Sequence, residues 1–201
     1  MLRSISVGTS QPKGDLTIHV NGRGPGLGWR ISNFRHWWRG WWKLQAARAL
    51  RLSYLHGEVR AILRRANGEI IDYGTISHRV VTTAYVTAMA TYQFDGSGPA
   101  PTAYDYHDCG TGTNAEAVGD TALQTPYGGA RTNGTPTNPG AGQYRNTGTI
   151  APGGTFAITE HGLFSAASSG TLVDRSVFSA INVVSGDSIS FQYTLTYSAG
   201  G

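Results

Sequence analysis

A short segment combines the residue types that bind metal ions or act as nucleophiles: Asp105, His107, Asp108 and Cys109. His161 is a further histidine that could join them. In an extended strand, residues 105, 107 and 109 share one face and Asp108 points away. Cys109 is the only cysteine, no spaced histidine pair completes a closed zinc site, and no neighbouring cation lowers the thiol pKa. We therefore expect a structural set, with half-buried histidine hydrogen-bonded to a neighbouring carbonyl or carboxylate, and we expect no metal and no cofactor.

Gly110 and Gly112 follow a predicted strand and, together with Ala115, imitate a dinucleotide-binding fingerprint. That fingerprint requires a helix that opens at the glycines, a parallel return strand and an acidic residue about 20 positions further on. At that distance the chain has only a predicted loop around Thr135. We therefore assign no nucleotide site.

Glu160 and Asp174 are the pair of carboxylates that could be proposed as a catalytic acid and base. Their spacing within an all-β region carries no information about their separation in space, so an exposed or arginine-paired carboxylate is the better interpretation. Asp174 and Arg175 lie on opposite faces of their strand and cannot pair there. Arg175 is instead expected to meet a carboxylate of an adjacent strand or subunit. We expect no enzymatic activity.

One basic, tryptophan-rich segment favours a binding function. If it is helical, its four tryptophans occupy positions i, i+1, i+4 and i+5 and form one broad apolar face. That face must be buried against this chain's own sandwich, a neighbouring protein subunit, a membrane interface or nucleic acid. Trp and Arg are the leading anchors of protein interfaces, which favours a protein partner or the chain's own core. The candidate partner-binding residues are Trp29, Arg35, Trp37, Trp38, Arg39, Trp41, Trp42 and Lys43.

Charge divides the chain into two parts. Residues 1–65 contain 12 Lys and Arg and 2 acids, a net charge of +10, whereas residues 66–201 contain 4 and 10, a net charge of −6. All five tryptophans lie in the basic part. Because aromatic residues and arginine are enriched in interface cores, we expect this part to have a partner.

The basic part is predicted to contain an arm and a helix. Residues 1–28 are rich in Gly, Ser and Pro, which favours an extended arm. Apolar residues then recur at helical spacing from about Ser32 to Tyr54, with Ser32 or Asn33 as the N-cap and Gly40 as a point where the helix could break.

A hairpin and a second helix are predicted next. Asn67 and Gly68 separate two apolar runs and predict a two-residue type I′ turn. Residues 79–83 then predict a strand. Thr82 or Thr83 is a plausible cap for a short helix that continues to about Tyr92.

The rest of the chain is predicted to be β-structure. The last strand shows the clearest pattern, because Ile189, Phe191, Tyr193, Leu195 and Tyr197 alternate with polar residues and predict one dry face. Links between strands are mostly too short for crossover helices, which favours antiparallel pairing. We predict a mainly β fold: an antiparallel, jelly-roll-like β-sandwich preceded by an extended arm and the Trp/Arg-rich helix. The other predicted strands are Tyr104–Cys109, Phe156–Thr159 and Leu172–Val184, and Gly110–Gly154 is predicted to be a long loop.

The apolar stretches are too short to span a membrane, and the first residues lack the layout of a secretory signal. We therefore expect synthesis in the cytosol and no membrane partner.

The acidic part, from about Glu69 to Tyr197, resembles a group of virion proteins of tailed bacteriophages and prophages. The resemblance lies in the order and spacing of several stretches rather than in any one of them. It implies an all-β virion component and carries over no catalytic residues. It leads us to divide the chain into an anchoring arm and helix, residues 1–57, and a β-sandwich virion module, residues 58–201. The stretches are Arg79–Thr83, Tyr106–Thr113, Asp120–Leu123, Ile158–Phe164, Leu172–Phe178, and Gly186–Ile189 followed by Tyr193–Thr196.

These features together predict a structural component of a tailed-phage virion, assembled in the bacterial cytoplasm. The leading hypothesis is a capsid decoration or cement protein, with the major capsid protein or other virion proteins as partners and a homo-oligomer, preferably a trimer, as its state. Nucleic acid is a less favoured partner. The alternative is a tail-associated or fibre-base protein that binds a receptor or another tail protein through residues 110–154. A glycan-acting hydrolase is a third hypothesis, for which we find no convincing pair of acids.

Overall fold

The computed structural model describes residues 23–79 and 81–199, which form two antiparallel β-sheets and two α-helices. The predicted mainly β, antiparallel fold is confirmed. The predicted arm lies outside the described residues as far as residue 22. The helices are α1 (Leu27–Ala49) and α2 (Thr83–Asp95), with a 3-10 turn at Pro101–Ala103, and the strands are β1 (Tyr54–Arg64), β2 (Ile70–Arg79), β3 (Tyr106–Gly110), β4 (Thr132–Asn133), β5 (Thr135–Thr137), β6 (Gln143–Ile150), β7 (Phe156–Phe164), β8 (Leu172–Val183) and β9 (Ser188–Ser198).

The two sheets pack their apolar faces against each other. One sheet has the strand order β2-β1-β9-β6-β5 and the other has the order β4-β3-β7-β8. The last strand, β9, lies at the centre of the five-stranded sheet because it pairs with both β1 and β6. The ring of Phe191 on β9 contacts His161 and Phe178 of the opposite sheet, with centroid distances of 4.5 and 6.1 Å.

The alternation predicted for the last strand is confirmed except at its end. Phe191 and the three neighbouring apolar residues at 189, 193 and 195 are buried. Tyr197 departs from the pattern because it is 45 % exposed. Its hydroxyl lies 2.5 Å from that of Tyr85, so at this end of the strand its neighbour is α2.

The hairpin lies where the sequence predicted it, but the two-residue type I′ turn is wrong. The N–H of Gly68 donates to the carbonyl of Arg65 at 2.9 Å, and the N–H of Arg65 donates to the carbonyl of Glu69 at 2.8 Å. Among the loop residues Ala66–Gly68 only Gly68 has a positive φ, of 85°. This is a three-residue loop with a glycine bulge, which uses the same Asn-Gly pair.

The boundaries of α2 follow the predicted residue types. Thr82 is the N-cap, and its hydroxyl accepts the N–H of Tyr85 at 3.1 Å. Gly96 ends the helix in a left-handed conformation with φ 73°. The predicted strand over residues 79–83 is wrong beyond Arg79, because Val81 and Thr82 belong to the helix entry.

Two further boundaries differ from the prediction. The helix α1 begins at Leu27, before the predicted cap at Ser32 or Asn33. The predicted loop from residue 110 to residue 154 contains the complete strand β6 and the short strands β4 and β5. The proposed division at residues 57 and 58 falls inside β1.

Replacing Phe191 with Asp should lower the free energy of unfolding by more than about 3 kcal/mol, since the charge must be buried unpaired or β9 must leave the sheet. Gln192→Asp is the matched control one residue away. Gln192 lies opposite Arg60 and Thr147 on the other face, so we expect a change within about 1 kcal/mol. Thermal melts check this, and equal melting temperatures would contradict the assigned face.

Candidate binding surface on the first helix

The helix α1 lies across the outer edges of both sheets. It packs against β2, the edge strand of one sheet, and β8, the edge strand of the other. The Asn33 side chain donates to the carbonyl of Ile76 on β2 at 3.0 Å and accepts the N–H of Ser179 on β8 at 2.9 Å. One buried amide therefore satisfies a backbone group on each edge, and the helix shields edges that would otherwise invite further strand pairing.

Other polar contacts hold the same side of α1. The Trp29 indole N–H lies 3.0 and 3.1 Å from the carbonyl oxygens of Ser179 and Ala180, and the ring packs edge-on against Tyr73 at 4.7 Å. Further along the helix, Arg79 donates to the carbonyl of His36 at 2.9 Å. The inner side of α1 is thus fixed largely by hydrogen bonds.

Gly40 lies where α1 approaches β2 most closely. A methyl group at this position would overlap the carbonyl oxygen of His78. The helix continues through Gly40 without interruption, so the predicted break is wrong. The residue is small because the backbone of β2 occupies the space that a side chain would need.

This mode of packing leaves the apolar side of α1 facing outward. The buried residues of the helix are Asn33, Gly40 and Leu44, of which only Leu44 has a large apolar side chain. By contrast, Trp38 is 42 % and Trp42 is 59 % exposed. The exposed apolar residues at helical spacing form what we call the outer stripe: Ile31, Phe34, Trp38 and Trp42.

The rings of the outer stripe stack along the helix. The Trp38 centroid lies 5.5 Å from that of Phe34 and 5.9 Å from that of Trp42, with interplanar angles of 29° and 19°. Trp41 adds a third neighbour to Trp38 at 5.1 Å. Trp37 packs edge-on against His78 at 5.5 Å, so this indole contacts the chain's own sheet, and its ring also stacks on Trp41 at 5.5 Å.

Arg35, Arg39 and Lys43 follow each other at four-residue spacing along one side of the outer stripe. They form no ion pair with any other described residue. The helix contains five Lys and Arg and no acid, so the stripe lies in a positive field. Of the sequence-predicted set, Trp38, Trp42 and these three cations share the outer surface, whereas Trp29 and Trp37 contact the chain's own sheets. The eighth residue, Trp41, is half-buried and stacks on both Trp37 and Trp38.

A cavity of about 510 Å³ opens beside the outer stripe. Its walls come from α1, from the β1–β2 pair and from the loop after β3. The charged and titratable residues of its lining include Arg39, Lys43, His56, His78, Arg79 and Glu116.

The buried carboxylate of Glu160 has a structural role. It accepts the backbone N–H groups of Gly112, Gln124 and Thr125 at 2.7–3.1 Å and pairs with the Arg175 guanidinium at 2.7 Å. The expected pairing of Arg175 with an adjacent strand is therefore confirmed. Gly112, a glycine of the sequence that imitates a dinucleotide-binding fingerprint, thus donates its N–H to a carboxylate of the protein itself.

The histidines of the predicted histidine and cysteine set are hydrogen-bonded to partners within the protein. His107 Nδ1 lies 2.9 Å from His161 Nε2, and His107 Nε2 lies 2.8 Å from the Asn146 side-chain oxygen. Burial lowers the pKa of His107 to about 4, so the ring is neutral at pH 7. Burial also raises the pKa of the Cys109 thiol. The carboxylate oxygen Oδ2 of Asp108 lies 3.5 Å from Nε of Arg131.

Three residues outside the sequence-predicted set also come together: His56, Glu58 and His78. Their signal in the sequence is the His-x-Glu spacing in a strand and a second histidine at a matching distance on the other side of the hairpin.

No family model, curated protein or solved structure matches the chain. Within residues 23–79 and 81–199, no helix has the length and apolar character needed to cross a membrane.

Replacing Asn33 with Leu should destabilise the fold by about 2 kcal/mol or more, because the Ile76 carbonyl and the Ser179 N–H both lose their partner in a buried place. Gln45→Leu is the control on the same helix, and we expect a change within about 0.5 kcal/mol. Urea unfolding followed by circular dichroism measures the difference, and equal midpoints would contradict the role of the amide.

Cys109 should be inert in the folded protein. Its side chain is buried and its thiol pKa is raised, so almost no reactive thiolate forms near pH 8. We expect dithiobis(nitrobenzoate) to react with the single thiol rapidly in guanidinium chloride and very slowly without it. Rapid reaction of the native protein would contradict the buried placement.

Proposed function

We propose that this protein is a structural component of a tailed-phage virion, most specifically a capsid decoration or cement protein that attaches through the outer stripe of α1. The observation that carries the proposal is the orientation of the helix: hydrogen bonds fix its polar side to the sandwich, and Trp38 and Trp42 face outward. Contiguous exposed apolar surface of this kind marks interaction sites. The virion context comes from the resemblance of residues 69–197.

The stacking of the rings favours a protein partner over nucleic acid. A base stacks on a free ring face, whereas Trp38 already has Phe34, Trp41 and Trp42 as ring neighbours. What remains available is an apolar ridge bordered on one side by Arg35, Arg39 and Lys43. The complementary surface is an apolar groove with Asp or Glu along one wall, and we assign it to the capsid subunit.

The β-sandwich supplies the rigid body that such an anchor would hold on the particle. Several of its buried charges are paired internally, as in the Glu160–Arg175 pair, which suits a rigid structural body. We assign the protein no enzymatic activity and no membrane partner. Further copies of the chain, arranged as a trimer, are the oligomer that the proposal favours.

One observation favours the alternative, a tail-associated or fibre-base protein. The irregular segment at residues 111–131 is held in place by the Glu160 carboxylate through three backbone N–H groups. Long ordered loops of this kind are often binding loops. Copy number distinguishes the two locations, since a cement protein covers the whole shell and a tail protein is present in few copies.

The double variant Trp38→Ala/Trp42→Ala should fail to join particles. Each aromatic anchor of an interface can contribute about 2 kcal/mol or more, whereas rim charges contribute under about 1 kcal/mol. The charge variant Arg35→Gln/Arg39→Gln should therefore bind particles only slightly more weakly than the unmodified chain does. Co-sedimentation of purified chains with particles that lack the protein measures both.

Phe94→Ala is the matched control, because Phe94 is an aromatic residue on α2 that is 88 % exposed. It should bind as the unmodified chain does. Unchanged binding of the tryptophan variant would contradict the proposal. A larger loss of binding in the arginine variant than in the tryptophan variant, together with binding that falls steeply with salt, would indicate a polyanion as the partner.

A further inference from the structure

We propose that His56, Glu58 and His78 form a binding site for one divalent transition-metal ion of the zinc type. This inference does not rest on the proposed docking of α1 to a partner, since its ligands come from a pair of strands and it can be tested on the isolated chain. It rests on the convergence of three ligand side chains, on their orientation and on the cavity beside them.

The β1–β2 hairpin brings the three side chains together. His56 and Glu58 are two residues apart on β1 and so lie on the same face of the strand. The register places His78 on β2 directly opposite Glu58, after two irregularities in the pairing nearer the turn. The ligands thus come from the rigid backbone of two paired strands rather than from loops.

The distances are those of a metal site whose ligands need only small adjustments. His56 Nε2 lies 3.1 Å from His78 Nδ1, and His78 Nδ1 lies 3.8 Å from Glu58 Oε2. One potential ligand atom from each residue lies within 4.8 Å of the others. Zinc binds nitrogen and oxygen at about 2.0–2.2 Å, so two tetrahedral ligands lie about 3.4 Å apart.

The ligands are also in a suitable chemical state. The His56 and His78 side chains are both buried, and burial disfavours the charged form of an imidazole. Neutral imidazole is the form that binds metal. The ring that donates in the His56–His78 contact would move its proton to its other nitrogen, which requires no net loss of a proton.

Thr75 orients the carboxylate. Its hydroxyl donates to Glu58 Oε1 at 2.8 Å, while Glu58 Oε2 faces His78. Partners of this kind fix the ligands of metal sites and strengthen binding. The positive charges of Arg48 and Arg79 disfavour binding of a metal cation here. The charge of Arg79 is offset by its ion pair with Glu116.

The cavity leaves coordination positions open. His56 and His78 both line it, so a metal held by two histidines and one carboxylate would keep room for water or an outside ligand. Arg39 and Lys43 line the same cavity and favour an anionic outside ligand, such as a carboxylate. An exchangeable site therefore fits better than a closed structural one.

Calorimetric titration of Zn²⁺ into the chelator-treated full chain tests the site. We expect one ion per chain, and affinity reduced more than about tenfold in His78→Ala and in Glu58→Gln. Glu58→Gln keeps the size and the Thr75 contact, so it preserves the fold even where removal of a buried histidine does not. His36→Ala, a histidine outside the cluster, should bind as the unmodified chain does.

Two results would overturn the site. The first is the absence of zinc binding by the unmodified chain at millimolar metal. The second is zinc binding that Glu58→Gln and His78→Ala leave unchanged. Circular dichroism of each metal-free variant confirms that a loss of binding reflects the ligand and not the fold.

Discussion

The structure depends on one buried amide. Asn33 joins a carbonyl of β2 to an N–H of β8, the edge strands of the two sheets, and so closes one side of the sandwich with a helix. Each hydrogen bond adds only about 1 kcal/mol net, but leaving either buried group unpaired costs about 1–3 kcal/mol. The amide therefore fixes the rotation of α1 about its own axis. That rotation decides which side chains face the solvent.

The end of β2 links the docked helix to the other candidate site. The His78 backbone contacts Gly40, its ring contacts Trp37 and His56, and the neighbouring Arg79 donates to the carbonyl of His36. The same few residues therefore place the outer stripe, form the wall of the cavity and orient two of the three proposed metal ligands. A change in the seating of α1 would alter all three together.

The parts of the fold that follow local rules could be predicted from the sequence. The apolar alternation of β9 and the Thr82 cap are of this kind. β6 was not predictable, because inward positions such as Asn146 and Gly148 look like loop residues. Asn146 is buried against His107, and a side chain at Gly148 would overlap that ring. The local sequence predicts a cap at Asn33 and a break at Gly40, the commonest local roles of these residue types, because their actual partners are strands distant in sequence.

The central claim is that the outer stripe is exposed in the free chain and covered in the particle. Hydroxyl-radical footprinting with mass spectrometry tests it directly, with Trp29 as an internal reference because that indole packs on β8. We predict that Trp38 and Trp42 oxidise rapidly in the free chain and several-fold more slowly in assembled particles, while Trp29 oxidises slowly in both. Equal oxidation of Trp38 and Trp42 in the two states would contradict the account.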